Sequence, residues 1–136
     1  MAARSKTRKR AVDILFEADL RGTDPVSTAA ERLADADRPV QAYTITLVEG
    51  VTQHLGRIDE LITTYSEGWS LYRMPGVDRS IIRAAVFELL WCDDVPDAVV
   101  IDEAIELAKS LSTDDSPKFI NGVLGRIALV KPDLVV

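Results

Sequence analysis

Val77-Asp78-Arg79-Ser80-Ile81-Ile82-Arg83-Ala84-Ala85-Val86-Phe87-Glu88-Leu89-Leu90-Trp91 is, after the polar Asp78-Arg79-Ser80 of its first turn, apolar almost all the way round a helical wheel, with Arg83 and Glu88 as exceptions. Such a segment has no solvent face to offer, so it predicts the central buried helix of an all-α protein. Outward from it, the apolar spacing stays helical. Upstream, Ala11, Ile14, Leu15 and Ala18 form one stripe that stops at Gly22. Asp24-Pro25 is an N-cap followed by proline at the first helical position. It opens the stripe Val26, Ala29, Ala30 and Leu33, ended by Asp37 and Pro39. A third helix carries Thr44, Leu47, Val48, Val51 and Leu55 and stops at Gly56. A fourth carries Ile58, Leu61, Ile62 and Tyr65 and stops near Gly68. Trp69 to Gly76, with Pro75-Gly76, reads as a connector. Downstream, Pro96 opens a helix with Ile101, Ala104, Ile105 and Ala108 inward. Ser116-Pro117 opens the last, with Ile120, Val123, Leu124 and Ile127 inward. All six prolines fall at or beside these boundaries. No stretch alternates as a strand would, and there is no internal repeat.

The 136 residues make one domain, long enough to bury a core without disulfide or metal. Hydrophobic residues at 47% and charged residues at 28% are an ordinary soluble mix. Apolar runs are no longer than Ala98-Val99-Val100-Ile101, which excludes a transmembrane helix. Asp13, Glu17 and Asp19 interrupt any signal h-region, so no secretion is expected. The single cysteine, Cys92, cannot form an internal disulfide and predicts a reducing, cytoplasmic home. The net charge is −6, yet residues 1–10 hold Arg4, Lys6, Arg8, Lys9 and Arg10 and no acid. An acidic body with a basic leader meets polyanions only locally, which argues against a broad duplex-DNA footprint.

Catalytic signatures are missing. There is no Gly-rich phosphate loop, no nucleophile elbow and no cysteine pair. His54 has no histidine or cysteine partner, and its place near a helix C-terminus suits the dipole, so no metal site is expected. Asp102, Glu103 and Glu106 read better as the solvent face of an amphipathic helix, with Glu106 and Lys109 at i, i+3, than as paired catalytic carboxylates. No enzyme activity, catalytic residue or cofactor is expected.

Binding residues are easier to find. From composition, the leader is evenly balanced between a solvated tail and a phosphate-binding segment. Its direct continuation into the first helix favours binding. So does Phe16, at i+7 from Lys9 and off the main apolar stripe, because an aromatic beside cations suits unstacked RNA bases. Core packing remains the commoner use of one phenylalanine. In the last helix Phe119 falls about 100° from Ile120, at the edge of the apolar face. Lys118, Gly122, Gly125 and Arg126 turn outward. Two helical glycines cost roughly 1 kcal/mol each relative to alanine. Close packing by a neighbouring helix accounts for that slightly better than close approach by a partner. Asp114, Asp115 and Ser116 stand where an N-cap belongs. Carboxylates there also suit hydrogen bonds from base amino groups.

Asp102-Glu103-Ala104-Ile105-Glu106-Leu107-Ala108-Lys109, followed by Asp114-Asp115-Ser116-Pro117-Lys118-Phe119-Ile120-Asn121-Gly122-Val123-Leu124, resembles the C-terminal signature of the NusB family of bacterial transcription antitermination factors. Val77 to Arg83, with Phe87-Glu88-Leu89, resembles that family's central helix. Arg8-Lys9-Arg10-Ala11 through Leu15-Phe16 resembles its arginine-rich first helix. The resemblance runs from about residue 4 to residue 130. It departs at Phe16, where tyrosine is frequent, at Asp102, where asparagine is usual, and in a leader that mixes Lys and Ser with arginine.

The resemblance implies about seven helices in two packed subdomains, the N-terminal one over about residues 8–68 and the C-terminal one over about 77–130. It implies binding of single-stranded boxA RNA together with ribosomal protein NusE, in a complex with NusA, NusG and RNA polymerase. It assigns Arg4, Lys6, Arg8, Lys9, Arg10, Phe16, Lys118 and Phe119 to the RNA surface. Asp115 falls in the same region, and Asp78 on the surface that meets NusE. Family members occur as monomers and as dimers, so a homodimer is open. Two other readings compete. One is a protein-only adaptor with an incidental leader. The other is a module associated with an RNA-modifying enzyme, against which stands a chain expected to stand alone to Val136.

Overall fold

The computed structural model describes residues 2–34, 41–67 and 69–136. Among them are α1 (Ala2–Arg21), α2 (Pro25–Leu33), α3 (Gln41–Gln53), α4 (Leu55–Tyr65), α5 (Gly76–Trp91), α6 (Asp97–Leu111) and α7 (Ser116–Val130), then a 3-10 turn at Lys131–Asp133. No strand occurs among the described residues, so the fold is all-α as the periodicity predicts. No helix among them is long and apolar enough to cross a membrane.

The local signals work as their chemistry requires. Gly22 ends α1 at φ 68°, a left-handed conformation that costs glycine nothing. Asp24 caps α2 by accepting the Ser27 N–H at 3.1 Å and the Ser27 hydroxyl at 2.9 Å. Pro75 and Pro96 stand just before α5 and α6. The expected ends at Asp37, Pro39 and Gly68 lie outside the described residues.

α5 is the hub. From Ser80 to Leu90 every residue except Arg83 is buried. The helix packs against α1, α3, α4, α6 and α7. α1 in turn lies on α2 and α3, and α6 pairs with α7. The stripe Ile120, Val123, Leu124 and Ile127 is fully buried, as expected. In α6 the buried line is Val100, Ala104 and Ala108, with Ile101 and Ile105 only half-buried, so that helix is turned slightly from the expected face.

The break between the third and fourth helices differs from expectation. It falls at His54, not Gly56, and Leu55 is exposed. An aromatic stack from α5 accounts for the shift. The His54 ring lies 4.0 Å from Trp91, and Phe87 extends the stack. Gly50 makes room for it, since a Cβ there would overlap the Phe87 ring. Gly56 has open space around it and imposes nothing.

Candidate nucleic-acid interface

The basic leader is helical from Ala2, so its cations stand on a rigid scaffold. Helical geometry then sorts them by direction, about 100° per residue. Lys6, Lys9 and Arg10 are exposed. Lys9 reaches Asp13 at 3.2 Å, and Arg10 donates to the Arg32 carbonyl at 3.4 Å. Arg4 is half-buried, with its guanidinium 4.3 Å above the Tyr43 ring and 3.3 Å from Asp94. That cation is already engaged with its own chain.

Arg8 corrects the sequence reading. It is buried, not turned toward a ligand. Nε donates to Glu88 Oε1 at 2.7 Å, Nη2 to Glu88 Oε2 at 2.9 Å, and Nη1 to Glu103 at 3.1 Å. Glu88 also accepts the Tyr43 hydroxyl at 2.6 Å, and the Ser5 hydroxyl donates to Glu103. Burial alone would lower the Arg8 pKa. The hydrogen bond and charge of Glu88 outweigh it and raise the pKa above the usual arginine value. Burial and Glu88 likewise push the Tyr43 hydroxyl far up. The signal is present in the sequence: Arg8 stands three, four and seven residues before Ala11, Val12 and Leu15, on the apolar stripe itself. Glu103 therefore does not belong to a purely solvent face. Glu106 does, and pairs with Lys109 at 3.1 Å as expected.

Asp78 is the second correction. The resemblance puts its carboxylate on an exposed partner surface, but Asp78 is fully buried. It accepts the Ser116 hydroxyl at 2.7 Å and that of Ser112. It fastens the first turn of α5 to the junction of α6 and α7, because two hydroxyl donors satisfy a carboxylate that has left water.

Around that junction stand the remaining candidates. Phe16 is half-buried, and its ring lies against Gly76, where a Cβ would come within 2.9 Å. Asp115 is exposed at the N-cap of α7 and makes no side-chain cap hydrogen bond, so the default capping role is not realised. Lys118 is exposed. Phe119 is half-buried and meets Trp69 edge-on, with ring centroids 4.7 Å apart at 67°. Sequence reasoning places Trp69 only in a connector and misses this pairing. A large aromatic residue in a connector is the one available hint.

The outward face of α7 is open. Nothing lies within 4 Å of a Cβ built at Gly125, and at Gly122 the nearest group is the Arg126 guanidinium. No neighbouring helix among the described residues packs there, so the favoured explanation for these glycines fails. Arg126 itself turns back to donate to the Tyr65 carbonyl at 2.8 Å.

The first turn of α5 thus has Phe16 on one side and the N-terminus of α7, with Lys118 and Phe119, on the other. Lys9 lies about 10 Å from Phe16 along the same line of α1. Lys6 and Arg4 stand still farther toward the opposite end of α5.

A buried central helix, a cationic first helix and an aromatic, cationic edge define a small all-α binding protein. The chain belongs to the NusB family, whose model matches residues 5–129. That family is one of non-enzymatic transcription antitermination factors. The chain is 62% identical over 130 residues to the transcription antitermination protein NusB of Saccharopolyspora erythraea, covering 94% of this chain and 88% of that one. Against the NusB of Nocardioides sp. it is 54% identical over 134 residues, covering 98% and 99%. Among solved structures, T. maritima NusB superposes with a TM-score of 0.85 at 38% identity, covering 96% of this chain and 97% of that one. A crystal structure of antitermination factors NusB and NusE in complex with dsRNA superposes with a TM-score of 0.83 at 27% identity, covering 96% and 98%.

Proposed function

We propose that this protein is a transcription antitermination factor that binds single-stranded boxA RNA jointly with ribosomal protein NusE. The observation that carries the reading is Lys9 and Phe16 in one line of α1, with Lys118 and Phe119 at the start of α7 across the first turn of α5: exposed cations and half-buried aromatic rings. Phosphates suit the first and unstacked bases the second. The neighbouring complex of antitermination factors NusB and NusE with dsRNA supports NusE and RNA as partners, and the single-stranded boxA form comes from the resemblance. Lys6, Arg10 and Asp115 extend the same surface, Asp115 as an acceptor for base amino groups. Arg4 contributes where RNA displaces Asp94. The cytoplasm is the proposed setting, with NusA, NusG and RNA polymerase in the same assembly.

An electrophoretic shift of a boxA oligonucleotide, with and without NusE, tests the reading. A shift strengthened by NusE is expected, with affinity falling as salt rises. Each phosphate bound contributes a slope of roughly −0.7 for single strands. No shift under either condition overturns the RNA reading and leaves the protein-only adaptor.

A further inference from the structure

α1 runs antiparallel to α5, and the two helices pair charges at both ends with opposite polarity. Near the start of α1 the cation is on α1: Arg8 grips Glu88 through two hydrogen bonds of 2.7 and 2.9 Å. Near its end the cation is on α5: Arg79 donates to Asp19 at 2.7 and 3.0 Å, with Arg83 at 3.7 Å. Between the anchors the packing is apolar, with Val12 near Ile81, Ala84 and Ala85. Small apolar residues would accept a shift by one helical turn, about 5.4 Å. The charges would not. A one-turn slide of α1 toward its own N-terminus leaves Glu88, whose side chain is only 3% exposed, opposite Val12; the reverse slide offers it Arg4 but carries Asp19 past Arg79. Rotation is restrained as well, because Glu88 accepts from Tyr43 of α3 and Arg8 donates to Glu103 of α6. Buried ion pairs of this kind often add little net stability over apolar residues; register is their best-attested use.

We propose that Arg8 and Glu88 form a register lock that sets the axial position and rotation of the basic leader, so that Lys6, Lys9 and Phe16 meet RNA in one fixed arrangement. Arg8 is then a positioning residue and does not bind phosphate. The role rests on the RNA reading above, but the lock itself can be measured without RNA.

The test removes both charges at once with Arg8→Met and Glu88→Gln, which leaves Tyr43 an acceptor. Nitroxide labels at positions 6 and 109, in a Cys92→Ala background, report the leader's distance from α6 by electron double resonance. The wild-type pairing should give one narrow distance. The double variant should keep its melting temperature while that distance shifts or splits by about 5 Å, one helical turn. Without labels, its affinity for boxA RNA should fall about tenfold, with a salt slope flatter by roughly 0.7 for each phosphate that the leader no longer reaches. An unchanged distance overturns the lock, whether RNA binding holds or weakens; if it weakens, Arg8 itself touches RNA. A shifted distance in a protein whose wild type ignores RNA sustains the lock and removes the RNA reading. Should the double variant melt early, Arg8→Lys keeps the charge and loses the fork. It should broaden the distance, and an unbroadened one overturns the lock.

Discussion

Asp78 shows how far a residue's type can mislead about its place. A carboxylate at the start of a helix is favourable to the dipole in water or out of it, so sequence alone could not tell a partner-facing acid from a buried tie. Its two serine donors decide the matter. Asp78→Lys should lower stability by about 3–5 kcal/mol, because a cation is then buried against groups that offer no anion. Thermal melting checks this, and a wild-type melting temperature with NusE binding abolished would return Asp78 to the partner surface. Phe119 is legible in the sequence as an edge residue, and it is one. Phe119→Ala should cost roughly 0.5–1.5 kcal/mol through its ring pair with Trp69, plus part of its burial. The full cost of about 3–5 kcal/mol for a core phenylalanine should not appear. The same variant should weaken boxA binding by roughly 1–3 kcal/mol, as read by titration. Unchanged RNA affinity would take α7 out of the RNA surface.

At the scale of elements, α2 is held to α1 by charge at its outer edge. Glu17 accepts from Arg32 of α2 and from Arg21 one turn along α1. The hydrogen bond from Arg32 and then that from Arg21 hold the Glu17 carboxyl at about 2, against an ordinary 4.5. A carboxylate with a depressed folded pKa adds stability that is present above the unfolded value and fades as pH falls from about 4.5 toward about 2. Glu17→Gln should therefore melt below wild type near neutrality, with the gap closing through that window. Melting temperatures across the acid range measure it, and a gap independent of pH would show that Glu17 acts by packing alone. The effect should be small, since the group is only half-buried and its arginine partners are exposed to screening solvent.

For the whole molecule, α1 is the strut that spans the proposed subdomains. It packs on α2 and α3 on one side and α5 on the other, and carries ion pairs at both ends of its length along α5. A boundary crossed by so much buried surface should not open separately. Unfolding by urea should be a single cooperative transition, with circular dichroism and the fluorescence of Trp69 and Trp91 changing together. Separate transitions would mean that the residues around 8–68 and 77–130 fold as independent units.

The helices themselves are legible because their causes are local. Spacing at three and four residues, an aspartate before a proline, and a glycine at the end of α1 act within one or two turns, and the chain carries them wherever it goes. Exposed members of the candidate surface, among them Lys6, Lys9 and Lys118, can be read the same way. What only the tertiary structure decided was the fate of charges that fall on buried faces. Arg8 looks like one more leader cation until Glu88, eighty positions away, and Glu103 close around it. Asp78 looks like a surface acid until Ser112 and Ser116 arrive. Gly125 looks like a packing site until nothing packs there. An ionised group leaves water only when its partners are brought to it, and those partners come from helices whose pairing no local spacing encodes.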